Sequence, residues 1–461
     1  MKISIILCML FVACREAPTS VPVTPPTPQG TRRGPPPDRV HAPSAAPASR
    51  PPAAPASRPS AALVSDATGT DFGTEARLLH RWVACGSGAA QTPPPGFSPR
   101  LVRDHCERMQ SIMAQHRRRF VAPATPFFAR LRPSGLSTRV IYPFGGGDLL
   151  FPLTLFPEAR EITTISLERA GSPHVADLMR SGLKDGRLRH LLNDAHWMFM
   201  RLAAVDYNFT THMTHMERRL LPMQLTLALC ALAVHGYEPV SLRYFRLRPD
   251  GSLQYLNRAE LEADERQHLR KGAEALAAAE RDPATGKRRP ARERRQRLKQ
   301  ARLLADGIPL LFSNLELTYR RPGEAPRVYR HMDFNLDNAH LAADPSPLAH
   351  LTHKGRVAAM TKAASYLLWM DDFSSIRDYL LQHMDWMVSD STGILPEHAR
   401  AAGFRQEVFG SFKSAILLTR PEHQEQMALL FRRQKKRELP FRFGYPDRRD
   451  HSAHLVITTR P

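Results

Sequence analysis

Apolar residues fall along this chain in short blocks, and the spacing within each block predicts an element. The run Arg139-Val140-Ile141-Tyr142-Pro143-Phe144 reads as a strand that enters the triplet Gly145-Gly146-Gly147. Asp148-Leu149-Leu150-Phe151 then starts a helix with Asp148 as its N-cap. A second strand, residues 161–167, ends at Glu168. Residues 223–234 form the most apolar segment, but twelve residues are too few to cross a bilayer and His235-Gly236 is a helix stop. This is a buried core helix, with Cys230 inside it as an inert packing residue.

Further on, residues 311–319 and 328–336 alternate as strands do, and together predict a hairpin. One strand presents Phe312, Asn314, Glu316 and Thr318 on one face, with Leu311, Ser313, Leu315 and Leu317 behind them. On the other strand His331, Asp333, Asn335 and Asp337 share a face, expected to be either wet surface or a polar binding wall. Val357, Met360, Ala364, Leu367 and Leu368 recur at helical spacing, leaving Lys362, Ser365, Tyr366 and Trp369 on another stripe. Residues 373–388 repeat that helical pattern, and residues 390–393 form a turn beginning at Asp390. The expected fold class is α/β: a mixed Rossmann-like sheet with an N-terminal helical segment (61–130) and an inserted basic helical hairpin (258–305).

The front end adds a location. Lys2, an apolar run from Ile3 to Ala13 and a small residue before Cys14 have the layout of a secretory signal. Phe11-Val12-Ala13-Cys14 resembles the lipobox of bacterial lipoproteins, which implies cleavage of residues 1–13 and lipidation of Cys14. Residues 14–60 are proline-rich and nearly free of large apolar side chains, so they form an extended spacer rather than a core. The globular body is residues 61–461. Export to the cell envelope also suits the cysteines. Cys85 and Cys106 flank a proline-rich turn at 92–96, and a bridge there is expected in an oxidising compartment.

Lys and Arg number 65 against 44 Asp and Glu, a formal charge of +21. Residues 281–302 alone hold ten Lys or Arg. No aromatic side chains interleave with that run, which argues against nucleic acid. Anionic lipid headgroups or acidic envelope polymers are the expected partners, besides the membrane reached through the lipid anchor.

Three constellations suggest chemistry. In the first, glycines let a backbone approach a ligand, and a helix N-terminus behind them offers free N–H groups to a small or anionic one. Glu168, 21 residues after Gly147, sits where dinucleotide-type sites hold a ribose hydroxyl. Tyr142, Gly145, Gly146, Gly147, Asp148 and Glu168 are therefore the candidate ligand-binding residues, with Asp333, Lys362, Ser365 and Asp390 as further polar candidates. Lys362 and Ser365, three apart on one helical face, have the spacing in which an amine activates a hydroxyl for acyl transfer. His212 and His215 sit at i and i+3, with His196 or Asp206 as a third group for a shared metal, but a chance pair is expected among 20 histidines and no metal site is assigned.

The strand–glycine loop–helix–strand unit resembles the first half of class I S-adenosylmethionine-dependent methyltransferases. The tail, Pro440-Phe441-Arg442-Phe443-Gly444-Tyr445 followed by His454-Leu455-Val456-Ile457-Thr458-Thr459, resembles that fold's closing hairpin. A second resemblance is to a family of bacterial envelope lipoproteins of unassigned activity. It rests on Tyr142-Pro143-Phe144 with Asp148, on the block from Lys362 to Leu368, on Phe373 to Arg377, on Ser389 to Ile394 and on Phe409 to Phe412. S-adenosylmethionine is made in the cytosol, so an exported member of either group is expected to bind a small ligand without catalysis. A methyltransferase-like enzyme and an envelope adaptor working through the basic hairpin are the alternatives; no cofactor is assigned.

Overall fold

The computed structural model describes residues 69–86, 93, 97–172, 184–205, 221–281, 286–288, 290–291, 312–412, 421–444 and 453–461. The expected signal segment, Cys14, the expected spacer, Asp206, His212, His215 and nearly all of the basic run after Arg281 lie outside these residues. The described part of the body, within Ser60–Pro461, is a mixed α/β unit.

Its strands are β1 (Arg139–Pro143), β2 (Glu161–Ser166), β3 (Glu238–Leu247), β4 (Leu253–Tyr255), β5 (Asn314–Arg320), β6 (Arg327–Asp333), β7 (Val357–Thr361), β8 (Met384–Ser389), β9 (Arg405–Gly410) and β10 (His454–Thr459). They form one sheet in the order β4-β3-β5-β6-β2-β1-β7-β8-β10-β9. The central strands from β6 to β8 are parallel. Antiparallel strands extend it on both sides, β5, β3 and β4 beyond β6, and β10 and β9 beyond β8.

Helices cover both faces, as a parallel sheet requires. One layer holds α1 (Gly73–Trp82), α2 (Pro99–His116), α3 (Ala122–Leu131), α4 (Leu150–Leu155), α5 (Asp185–Val205) and α6 (Met223–His235). After α7 (Arg258–Glu280), the opposite layer holds α8 (Asn338–Ala343), α9 (Ser346–Thr352), α10 (Ser374–His383) and α11 (Pro396–Ala401). α12 (Pro421–Arg433) covers the β9–β10 end. Side chains of β1 feed both layers, Val140 and Tyr142 into the first and Ile141 into the second. The core helix α6 stops at Gly236, whose φ of 69° is a left-handed cap that glycine adopts without strain. α7 opens on a capping box between Asn257 and Glu260.

Edge-to-face aromatic contacts tie the first layer together. Phe120 meets Phe151 at 4.7 Å and Phe441 at 5.3 Å, and Phe127 meets Phe409 at 5.1 Å. Cys85 and Cys106 are joined by a disulfide with Cα atoms 5.4 Å apart, anchoring the end of α1 to α2. A ladder of buried charge crosses the sheet from β2 to β4. Arg330 bridges Glu161 at 2.9 Å and Glu316 at 2.8 Å. Glu316 also pairs with Arg243 at 2.9 Å and accepts from the Tyr255 hydroxyl at 2.7 Å. Burial alone would raise the Glu161 carboxyl, but Lys354 and Arg330 outweigh it and hold the group well below the ordinary carboxylate range.

Four sequence expectations are corrected. Residues 357–361 are not helical; Val357–Thr361 is β7, fully buried, and residues 364–369 form a short 3-10 turn. The helix expected over 373–388 ends at His383, and its second half is β8. His331 and Glu316 lie on opposite faces, since His331 pairs with Leu315 and Glu316 with Arg330 across the β5–β6 ladder, and neither position is wet, because both side chains are buried. Residues 440–444 are not a strand; the antiparallel partners of β10 are β8 and β9, and the tail touches β10 through the His454 N–H, which donates to the Phe443 carbonyl.

Candidate functional site

The polar candidates gather along one edge of the sheet, at the carboxyl ends of β6, β2, β1, β7 and β8. β1 leads through α4 on one face, whereas β6, β7 and β8 are connected through α8, α9 and α10 on the other. The strand order therefore reverses between β1 and β7, the point where open α/β sheets form a ligand crevice.

At that point the protein's own side chains fill the space. The Tyr142 ring lies against Gly145, where a Cβ would come within 2.6 Å of it. Its hydroxyl donates to Asp148 Oδ2 at 3.1 Å. Asp148 Oδ1 accepts from the Phe151 N–H at 3.2 Å, so this carboxylate occupies the start of α4, which begins at Leu150. The expectation of free N–H groups for an anionic ligand fails here, because α4 has six residues and its first donors are taken. Burial pushes the Asp148 carboxyl up to about 6, against the pull of the Lys362 ammonium and the donors of Phe151 and Tyr142. Lys362 leaves the end of β7 with its ammonium 3.5 Å from the Phe151 ring centroid and 5.4 Å from that of Phe443.

Lys362 and Ser365 do not share a helical face. Ser365 turns instead toward β8, where its hydroxyl and that of Thr392 are 2.6 Å apart. Asp390 organises this corner: Oδ1 accepts from the Thr392 N–H at 2.8 Å and its hydroxyl at 2.5 Å, and Oδ2 accepts from the Ala363 N–H at 2.9 Å. Ala363 has φ 59° and ψ −88°, and Phe144 has φ 61°. These strained positions sit at the ends of adjacent strands, where such conformations mark functional sites.

The arrangement is more open on the β2 side. Gly146, at φ 49°, faces the tip of β2, and a Cβ there would lie 3.7 Å from Glu168 Oε2 and 3.9 Å from Gln224 Nε2. Gln224 comes from the first turn of α6 and is fully buried. Neither its Nε2 nor its Oε1 has a hydrogen-bond partner among the described residues. An unmatched buried amide costs about 1–3 kcal/mol, so it draws attention to whatever it faces. Beneath Glu168, His331 bridges Thr164 at 3.0 Å and the Glu168 carbonyl at 2.7 Å. Burial lowers this imidazole to about 4, so it is neutral; Nε2–H donates to the carbonyl and Nδ1 accepts from the hydroxyl.

Asp333 ends β6 beside this pair, 3.5 Å from Arg169. Burial raises its carboxyl to about 7; Arg169 opposes the rise and Glu168 reinforces it. Asn335 and Asp337 do not continue the wall, because Asp337 caps α8 by accepting from the His340 N–H at 2.9 Å. Thus Tyr142, the glycine loop, Asp148, Lys362 and Asp390 converge, with Glu168 and Asp333 on one flank and Ser365 on the other. Gln224 and Arg169 were missed by sequence reasoning. A single amide opening an otherwise apolar helix was the only signal for Gln224.

Among the described residues no group of three or more His, Cys, Asp or Glu is placed to hold a metal ion, and no helix is long and apolar enough to cross a membrane. Comparison with known protein families, curated proteins and solved structures gives no match to this chain.

Proposed function

We propose that this chain is a lipid-anchored envelope protein whose body binds a small hydroxyl-rich ligand, such as a nucleoside or sugar, between the glycine loop and the tip of β2. The observation that carries the reading is the meeting of Glu168, the unpartnered Gln224 amide and Gly146 at one spot. A carboxylate accepts from two neighbouring hydroxyls, and an amide supplies one donor and one acceptor beside it. Glycine at position 146 lets the ligand approach the backbone. The carboxylates of Glu168, Asp148 and Asp333 disfavour an anionic ligand at this spot. Anchoring through Cys14 is supported by the apolar front end, and the Cys85–Cys106 disulfide accords with an oxidising compartment.

The test is thermal melting of the full-length protein with millimolar adenosine, S-adenosylmethionine and monosaccharides. A ligand at 100 times its Kd stabilises by ~2.7 kcal/mol, and the shift should disappear in Glu168→Ala and shrink in Gln224→Leu. No shift with any compound, or a shift that survives Glu168→Ala, refutes the proposal.

One observation favours a second reading, a methyltransferase-like enzyme. From β6 to β9 the sheet ends in an antiparallel closing strand, β10, inserted between β8 and β9, as in the class I methyltransferases the chain resembles. A melting shift confined to S-adenosylmethionine supports that reading over simple sugar binding.

A further inference from the structure

The edge of the sheet opposite the glycine loop is where β6, β2, β1 and β7 begin and β5 ends. These five strands are consecutive in the sheet, and each carries an arginine there. Arg320 ends β5, Arg327 opens β6, Arg160 precedes β2, Arg139 opens β1 and Arg356 precedes β7. The register aligns them. Tyr319 pairs with Arg327, Glu161 with both Val328 and Arg139, and Val140 with Ala358. The Val328 N–H donates to the Arg160 carbonyl at 2.9 Å, which continues the β2–β6 ladder to this residue. Arg327, Arg160 and Arg356 therefore stand at one level, with Arg139 one residue inside it and Arg320 one residue outside. Neighbouring strands are ~4.8 Å apart, so the row is about 19 Å long. All but Arg327 are exposed.

The acids nearby do not neutralise this row. Glu161 is taken by Lys354 and Arg330, Glu324 by Arg321 and Arg327, and Asp385 by Arg356. Arg139, Arg160 and Arg320 have no ion-pair partner among the described residues. Arg139 only donates from Nη1 to the Lys354 carbonyl at 2.7 Å. The remaining acids are Glu158, exposed on the corner before β2, and Glu238, opposite Arg320 on β3. The opposite edge has the other sign, with Asp148, Glu168, Asp333 and Asp390 at its strand ends.

We propose that this edge binds an extended acidic polysaccharide, whose carboxylates meet the arginine row one after another. A guanidinium presents a planar fork of N–H donors that matches a carboxylate. A single row of charge along a sheet edge fits a linear chain better than a bilayer. A membrane contact also calls for exposed aromatic or aliphatic anchors. The exposed large apolar side chains among the described residues, Leu167 and Trp197, belong to the tip of β2 and to α5 instead. Bound bases would need aromatic platforms. The aromatic ring at this edge, Tyr237, is buried beneath Arg321 and Arg327, at 4.3 and 5.3 Å. The choice of a polysaccharide over an intracellular polyanion rests on the envelope reading above. Binding here leaves the glycine-loop site, on the opposite edge, open to its own ligand.

The experiment is calorimetric titration of the full-length protein with galacturonate and its linear oligomers of increasing length, at low and at physiological salt. These probes are soluble, so the outcome does not depend on lipidation of Cys14. Affinity should rise with oligomer length until the row is covered and should weaken as salt screens the charges. The triple variant Arg139→Gln, Arg160→Gln, Arg320→Gln should bind the longest oligomer at least tenfold more weakly. A control removes the same charge from the basic run, as Arg292→Gln, Arg294→Gln, Arg295→Gln, and should change the affinity less than threefold. Circular dichroism and melting confirm that both variants fold. Equal losses in the two variants would reduce the effect to non-specific charge attraction and overturn the proposal. So would affinity independent of length, or an edge variant that binds as the wild type. A tenfold loss by the edge variant for phosphatidylglycerol vesicles or single-stranded DNA as well would overturn the choice of polysaccharide. Glu168→Ala should leave oligomer affinity unchanged; its loss would place the polymer at the glycine loop and overturn a separate surface.

Discussion

Replacing Glu316 by Gln tests the charge ladder most directly. Glu316 is almost wholly buried and serves Arg330, Arg243 and the Tyr255 hydroxyl at 2.7–2.9 Å. Gln keeps the shape but leaves Arg243 and Arg330 with Glu161 as the remaining carboxylate of the ladder, which Lys354 already engages. Removing one partner of a buried ionic network costs ~3–5 kcal/mol. With ~2.1 cal/mol/K of unfolding entropy per residue and the roughly 400 residues of Ser60–Pro461, that lowers Tm by about 4–6 °C. Arg330→Met should cost less, because the remaining pairs, Glu161 with Lys354 and Glu316 with Arg243, still balance. The double variant should be less destabilised than the sum of the singles. Urea titration and thermal melting of the three variants decide it. An Arg330→Met loss at least as large as that of Glu316→Gln, or strict additivity, would refute the account of charge compensation.

Four further outcomes are expected. Gly147→Ala places a Cβ 2.4 Å from Gln224 Oε1 and 3.1 Å from Leu227, an overpacking cost of ~1–3 kcal/mol; Gly146→Ala makes no contact closer than the 3.7 Å to Glu168 Oε2 and should cost only ~1 kcal/mol for its left-handed backbone, a contrast read by urea midpoints. Cys85→Ser with Cys106→Ser opens a loop of sequence separation 21 and should lower stability by roughly 3 kcal/mol in the same assay. Because Glu161 is depressed in the fold, its stabilisation is present above the ordinary carboxylate value of 4.5 and is lost as pH falls below it; Lys354→Met weakens the depression, so its stability should fall less steeply between pH 5 and pH 3, which pH-dependent melting measures. Deleting residues 281–302 should abolish cosedimentation with anionic vesicles at low salt if that run is the membrane contact, and leave melting nearly unchanged.

Local signals were enough for several features of this protein. A β-branched run into three glycines marked β1 and its loop, the β-branched run Ile162-Thr163-Thr164-Ile165 marked β2, and the glycine after His235 marked the end of α6. Each depends on backbone preferences of neighbouring residues, which a linear chain displays. The gathering of Tyr142, Asp148, Lys362 and Asp390 was legible only as separate polar candidates.

Tertiary structure alone decided the rest. Val357–Thr361 became β7 although Ala and Met favour helices, because a central parallel strand is buried on both faces and shows no alternation to read. His331 and Glu316 went inside for a related reason: partners from strands distant in sequence satisfy them, Thr164 for one and Arg243 for the other. Glu168 and Gln224 meet at Gly146 only because β1 and β2 pair in parallel and α6 packs against α4, the helix that follows the glycine loop. Sequence by itself fixed the punctuation of the chain; which polar groups share an edge was settled by strand order, a property of the whole sheet that no short window contains.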